Sequence, residues 1–102
     1  MLKNIVVFAS GTGSNFKNIK NSIDNGNING IIVLLISNNP NCGAVIFAKK
    51  YEIKYRIIND YRYKNIEEKD NQYKLVLDSY KTDLILLAGF MKKIPINVLN
   101  SY

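Results

Sequence analysis

The sequence predicts an α/β fold, a parallel β-sheet wound in the order βαβαβαβ with helices on both faces. Three observations carry this reading. Apolar runs rich in β-branched residues recur four times, stretches with helical spacing separate them, and each run ends in a turn of Gly, Asn or Ser. Strands that alternate with helices pair in parallel through right-handed crossovers, and those crossovers cover both sides of the sheet. The chain has 102 residues, the length of one modest domain, so residues 1–102 are read as a single unit.

Each element has its own signature. Asn4 to Ala9 (NIVVFA) is a continuous apolar run bounded by Ser10-Gly11-Thr12-Gly13, as expected of a buried strand. Phe16, Ile19 and Ile23 stand at i, i+3 and i+7 and predict a first helix that stops at Gly26. Ile31 to Ile36 is apolar at every position, the pattern of a strand covered on both faces. After the loop Ser37–Asn41, the stripe Ala44, Phe47, Ala48 and Tyr51 predicts a second helix. Lys54 to Ile58 predicts a short third strand. Asn65 with Glu68 three residues later is an N-cap pattern, and Tyr73, Val76, Leu77 and Tyr80 form the stripe of the third helix. Asp83 to Ala88 (DLILLA) predicts the fourth strand, which opens into Gly89-Phe90-Met91-Lys92-Lys93-Ile94. In such a sheet the loops following the strands gather along one edge, where ligands bind. Here they are Ser10–Asn15, Ser37–Asn41, Asn59–Asn65 and Gly89–Ile94.

Composition removes several chemistries. Hydrophobic residues make up 47% and charged residues 22%, which is a globular balance. With no histidine and a single cysteine, Cys42, the chain has no Ser-His or Cys-His nucleophile pair, no His-ligated metal and no intrachain disulfide. That cysteine usage suits a reducing cytosol, so a cytoplasmic location is expected. The longest apolar runs, Gly30 to Ile36 and Leu84 to Met91, fall well short of the ~20 residues of a membrane-spanning helix. Ile5 to Ala9 is also too short for a signal peptide, so no membrane association is expected. The formal net charge is +6, but the cations are scattered along the chain, and no nucleic-acid partner is expected.

The strongest local signal is Ser10-Gly11-Thr12-Gly13-Ser14-Asn15, between the first strand and the first helix. Glycines let backbone approach an anion with no Cβ in the way, and the free amides and positive dipole end of the helix point at it. Ser14 and Asn15 add side-chain donors. Helix capping alone does not require two glycines, so the loop reads as a phosphate site. A dinucleotide fingerprint requires a third glycine, where Phe16 stands, and a carboxylate after the second strand, where Ser37 and Asn38 stand. The Gly-Lys-Ser/Thr ending of a Walker loop is absent as well. One phosphate group is therefore expected rather than a pyrophosphate. A flavodoxin-like electron carrier holding the phosphate of FMN is a second reading, with Tyr61 and Tyr63 the aromatics available to flank the flavin.

The second signal is the strand ending Leu86-Leu87-Ala88-Gly89-Phe90-Met91. It exposes backbone groups beside apolar side chains, which suits a flat heteroaromatic ring; the alternative for Phe90 and Met91 is core packing. The acids are placed without a catalytic pair. Asp83 enters the fourth strand at its far end, Glu67, Glu68 and Asp70 complement a helix dipole, and Asp60 is a loop residue. Cys42, at the start of the second helix, reads as packing or capping.

Taken together, NIVVFASGTGSNF, the Ser-Asn loop after the second strand and DLILLAGFMKKI resemble the glycinamide ribonucleotide transformylase (phosphoribosylglycinamide formyltransferase) family of purine synthesis. The resemblance runs along essentially the whole chain and covers the amino-terminal half of that family's enzyme, a Rossmann-like subdomain. It implies that Gly13, Ser14 and Asn15 bind the phosphate of glycinamide ribonucleotide. It also implies that Met91, Lys92, Lys93 and Ile94 line the pocket of the co-substrate 10-formyltetrahydrofolate, with no metal. The family's Asn-x-His-Pro-Ser motif and catalytic aspartate match no residue here, so no catalytic residue is assigned. The chain alone is accordingly expected to be inactive, with a carboxyl-terminal half as partner; a non-catalytic fragment or split subunit is the third reading. The family's folate-contacting arginine aligns with Ile66, which leaves Arg62 and Lys64 as the neighbouring cations. Within the same chemistry, formyltetrahydrofolate hydrolase normally carries an extra amino-terminal domain, and the formyltransferase acting on initiator tRNA lacks the Gly-Thr-Gly-Ser-Asn loop.

Overall fold

The computed structural model describes residues 2–90. Four strands, β1 (Lys3–Phe8), β2 (Gly30–Ser37), β3 (Tyr55–Ile57) and β4 (Leu84–Leu87), alternate with three helices, α1 (Ser14–Asp24), α2 (Gly43–Lys50) and α3 (Ile66–Ser79). The four strands form one sheet in the order β3-β2-β1-β4, and every pairing is parallel. The chain thus builds outward from β1 through β2 to β3, then returns to place β4 on the other side of β1. That reversal makes a topological switch point between β1 and β4, where the loops diverge and leave a crevice at the carboxyl ends of the strands.

Strand alternation divides the core between the two faces. Ile5, Val7 and Ala9 pack with Phe16, Leu35, Ala44, Val45 and Ala48 under α1 and α2. Val6 and Phe8 pack with Leu34, Ile36, Tyr73, Val76 and Leu77 under α3. Each fully buried aliphatic side chain contributes roughly 1.5–3 kcal/mol of transfer free energy. The core therefore concentrates at the carboxyl half of β1 and β2, directly beneath the loops that form the site.

The expected strands and helices are all present, with boundaries shifted by a residue or two. One expectation needs correction. The apolar run at β2 is not covered along its whole length: Leu34, Leu35 and Ile36 are fully buried, but Ile31 is 49% exposed. The reason is register. The third strand begins only at Tyr55, opposite Leu35, so the first half of β2 has no β3 neighbour. An irregularity opposite Ile5 and Val6 further shifts the pairing of β2 with β1.

The helix ends follow local chemistry. Asn65 caps α3, its side-chain oxygen accepting from the amides of Glu67 at 2.8 Å and Glu68 at 3.4 Å. Those two acids occupy the first turn, where the dipole favours them. The first helix closes at Asn25 and leaves through Gly26 at φ 81°, the left-handed exit the sequence predicted.

Candidate functional site

Helix α1 starts at the switch point with a different kind of end. Its N-cap is Gly13, at φ 91°, which has no side chain to cap the helix, and no acid lies in the first turn. The first intrahelical bond from this turn runs from the Lys17 amide to the Gly13 carbonyl at 2.8 Å. Ser14 and Asn15, both exposed, are thus the first two residues of a helix whose positive end is left to the crevice. The Thr12 hydroxyl donates to Ser14 Oγ at 3.4 Å.

The loops after β1 and β4 meet here. Gly89 adopts φ 75°, and the Nδ2 of Asn15 lies 3.7 Å from the position a Cβ on Gly89 would take. The structure therefore brings Asn15 against the start of the second predicted segment. Met91, Lys92, Lys93 and Ile94 lie outside the described residues. Phe90 turns inward: its ring meets Phe8 edge-on, with centroids 5.2 Å apart. Core packing, rather than a ligand wall, accounts for it.

The two glycines of the loop differ in their surroundings. A Cβ on Gly13 would stand 2.9 Å from the Ala44 amide nitrogen and 3.0 Å from its Cα. Gly13 is therefore required by the close approach of α2, as well as by its positive φ. Around Gly11 there is open space, and a Cβ added there would meet nothing within 4 Å. Gly11 is the glycine whose substitution leaves the protein's own packing alone. Its carbonyl accepts from the Ala44 amide at 3.3 Å, so the start of α2 donates back into the loop.

Side chains tie the next loops into the same edge. Ser10 Oγ donates to Asn38 Oδ1, and Asn59 Nδ2 donates to the Asn38 carbonyl at 2.9 Å. Asn59 Oδ1 in turn accepts from the Arg62 amide at 2.8 Å. Sequence reasoning missed this chain. The run of asparagines in these loops was its only trace, and nothing local says which asparagine meets which loop.

The remaining groups fall outside the crevice chemistry. Asp60 accepts from Lys69 Nζ at 2.7 Å, and Asp83 Oδ2 accepts from the Asn4 amide at 2.8 Å at the far end of the sheet. Cys42 is buried as the N-cap residue of α2, its Sγ 3.3 Å from Ser37 Oγ. Of the cations near the expected folate arginine, Arg62 lines a cavity beside β3 and Lys64 lies 5.0 Å over the Tyr61 ring. Ile66 is 68% exposed. Burial pushes the Tyr73 hydroxyl up to about 12, with Asp70 and then Asp60 adding to the shift. Among the described residues no three His, Cys, Asp or Glu side chains gather as metal ligands, and no helix is long and apolar enough to cross a membrane.

A parallel sheet in this order defines a Rossmann-like α/β domain, with the start of α1, which no side chain caps, at its switch point. The chain belongs to the formyl transferase family, whose model matches residues 3–102. Within that family it is similar to phosphoribosylglycinamide formyltransferases. It is 32% identical over 101 residues to the chloroplastic phosphoribosylglycinamide formyltransferase of Arabidopsis thaliana, a match covering 98% of this chain and 35% of the relative. Glycinamide ribonucleotide transformylase 1 from Geobacillus kaustophilus superposes with a TM-score of 0.91 at 25% identity, covering 100% of this chain and 54% of that one. The phosphoribosylglycinamide formyltransferase from Bacillus halodurans superposes at 0.89 with 28% identity, covering 98% and 52%. The chain thus spans about a third of the plant relative's length and about half of each solved structure. The FMN reading falls on topology. A flavodoxin-like sheet places β1 between β2 and β3, whereas here β1 lies between β2 and β4.

Proposed function

We propose that this chain is the substrate-phosphate-binding part of a phosphoribosylglycinamide formyltransferase of purine biosynthesis. In the reaction, the amine of glycinamide ribonucleotide attacks the formyl carbon of 10-formyltetrahydrofolate. A new C–N bond forms, the bond from the formyl carbon to N10 breaks, the amine loses a proton and N10 gains one as tetrahydrofolate leaves. The observation that carries the reading is the uncapped start of α1 at the switch point, with Ser14 and Asn15 exposed there and Asn15 set against Gly89. Amides and side chains at such an end give charge-assisted hydrogen bonds worth roughly 1.5–3 kcal/mol each.

In this reading Gly13, Ser14 and Asn15 hold the substrate phosphate, and Met91, Lys92, Lys93 and Ile94 form one wall of the folate site. The loops after β1 and β4 then bring the two reactants together, and catalysis by positioning requires reacting atoms about 3–3.5 Å apart. A chain without histidine has no imidazole to move the amine's proton near neutral pH. The proton-transfer groups then belong to the part of the relatives' length that these 102 residues do not span, and the 102 residues alone are expected to show no turnover. Its one cysteine is buried, which suits a reducing compartment such as the cytoplasm.

Calorimetry with glycinamide ribonucleotide tests the site. Ser14→Ala and Asn15→Ala should each weaken binding by roughly 1–3 kcal/mol, and Gly11→Val should weaken it without loss of fold. Unchanged affinity in all three folded variants would remove the assignment. Formyl transfer by the chain alone, at a rate typical of an intact enzyme and free of host enzyme, would overturn the division of labour.

A further inference from the structure

The chain carries twelve lysines but only two arginines, Arg56 and Arg62, and both line one cavity. It has a volume of about 300 Å³ and lies between the edge strand β3 and α3, with Tyr55, Ile57, Ile58, Tyr63 and Gln72 completing its walls. The lining is rich in donors: two guanidiniums, two phenols and a carboxamide, with no carboxylate among them. Neither guanidinium makes an ion pair among the described residues. The nearby acid Asp60 is engaged by Lys69 at 2.7 Å.

Local structure explains how the two arginines come to line one cavity. Ile57 packs under α1 and α2, so strand alternation turns Arg56 toward the face that α3 covers. Arg62 comes from the loop after β3, and that loop is held in shape by Asn59. The Asn59 side chain accepts from the Arg62 amide at 2.8 Å, its Nδ2 donates to the Asn38 carbonyl, and its carbonyl accepts from the Tyr63 amide at 3.0 Å. Ile58, 1% exposed and packed under α3, adds an apolar part to the lining. Two guanidiniums lining one cavity, with an apolar side chain beside them, suit an oxyanion carried on a small organic body.

The cavity is separate from the switch-point crevice. Strands lie about 4.8 Å apart, so β3, at the edge of the sheet, stands about 10 Å from β1. We infer that Arg56 and Arg62 form a second anion site at the β3 edge, for a small molecule bearing a phosphate or a dicarboxylate. The inference does not depend on the function proposed for the α1 end.

The chain offers a direct probe, since its two arginines give the only Nε–Hε signals. The 102-residue protein is titrated with inorganic phosphate and, separately, with malonate at constant ionic strength, and both arginine signals and the amide spectrum are followed by NMR. Both Nε–Hε signals should shift together and saturate. Saturation with phosphate alone marks a phosphorylated ligand, and saturation with malonate alone marks a dicarboxylate; either supports the site. Arg56→Gln and Arg62→Gln should each weaken the saturating anion roughly tenfold. Arg62→Lys, which keeps the charge and loses the fork, should weaken it less. Gly11→Val, at the other site, should leave it unchanged. Shifts that never saturate, a response from one arginine only, or unchanged affinity in both Gln variants with an intact amide spectrum would overturn the inference.

Discussion

A Cβ on Gly43 would overlap the carbonyl oxygen of Thr12. The first turn of α2 and the loop after β1 therefore touch backbone to backbone, and Ala44 adds an amide donated to the Gly11 carbonyl. Gly43→Ala should force the loop away from α2 and destabilise the fold by roughly 1–3 kcal/mol, as overpacking does elsewhere. A urea midpoint unchanged from the parent would contradict this contact.

Gly11 gives the complementary case. With no neighbour within 4 Å of an added Cβ, Gly11→Ala should change stability by less than about 0.5 kcal/mol. Gly13→Ala, by contrast, places a side chain against Ala44 and on a positive φ, and should cost about 1 kcal/mol or more. Denaturation of the pair separates packing from ligand approach, which a Gly13 variant tested alone confounds.

The cap of α3 is open to a simple test. Asn65→Ala removes the acceptor of two first-turn amides and should lower stability by about 1 kcal/mol. Asn65→Asp should retain most of it. Equal midpoints for Asn65→Ala and the parent would show that the cap contributes nothing.

Much of this architecture was legible in the chain itself. Four apolar runs and three helical stripes suffice because buried parallel strands and amphipathic helices have periods that local sequence must satisfy. What was not legible depends on residues far apart. The approach of Gly43 to Thr12 is a relation between two loops, and only the folded backbone makes it. Half of β2 lies open because β3 starts late, which no property of Ile31 or Ile32 records. Similarly, the loop glycines look equivalent in sequence, yet Gly13 is held by α2 and Gly11 is not. The pairing of Arg56 with Arg62 needed the α3 face and the Asn59 turn before it had any meaning.

Tyr73 predicts the alkaline limit of stability. Its hydroxyl is raised from 10.0 to about 12 by burial, then by Asp70 and Asp60. Below about pH 10 the phenol is neutral in both states, and the stabilisation is fully present. Between about pH 10 and 12 the unfolded chain ionises while the folded one does not, so unfolding releases a proton and stability falls as pH rises. The loss should reach roughly 2–3 kcal/mol at most. Comparing urea midpoints at about pH 9 and about pH 11 should show a steeper fall for the parent than for Tyr73→Phe. Parallel falls would remove Tyr73 as the cause.

The bonds from Ser10 to Asn38 and from Asn59 to Asn38 join the ends of three successive strands into one mechanical unit. Loops stitched in this way open together rather than singly, so their amides should exchange with solvent as a cooperative group. On the proposed function, an anion at the start of α1 would meet an edge whose entropy of ordering has already been spent during folding. In the proposed reading, Asn38 and Asn59, which lie outside the start of α1, then set part of the affinity there.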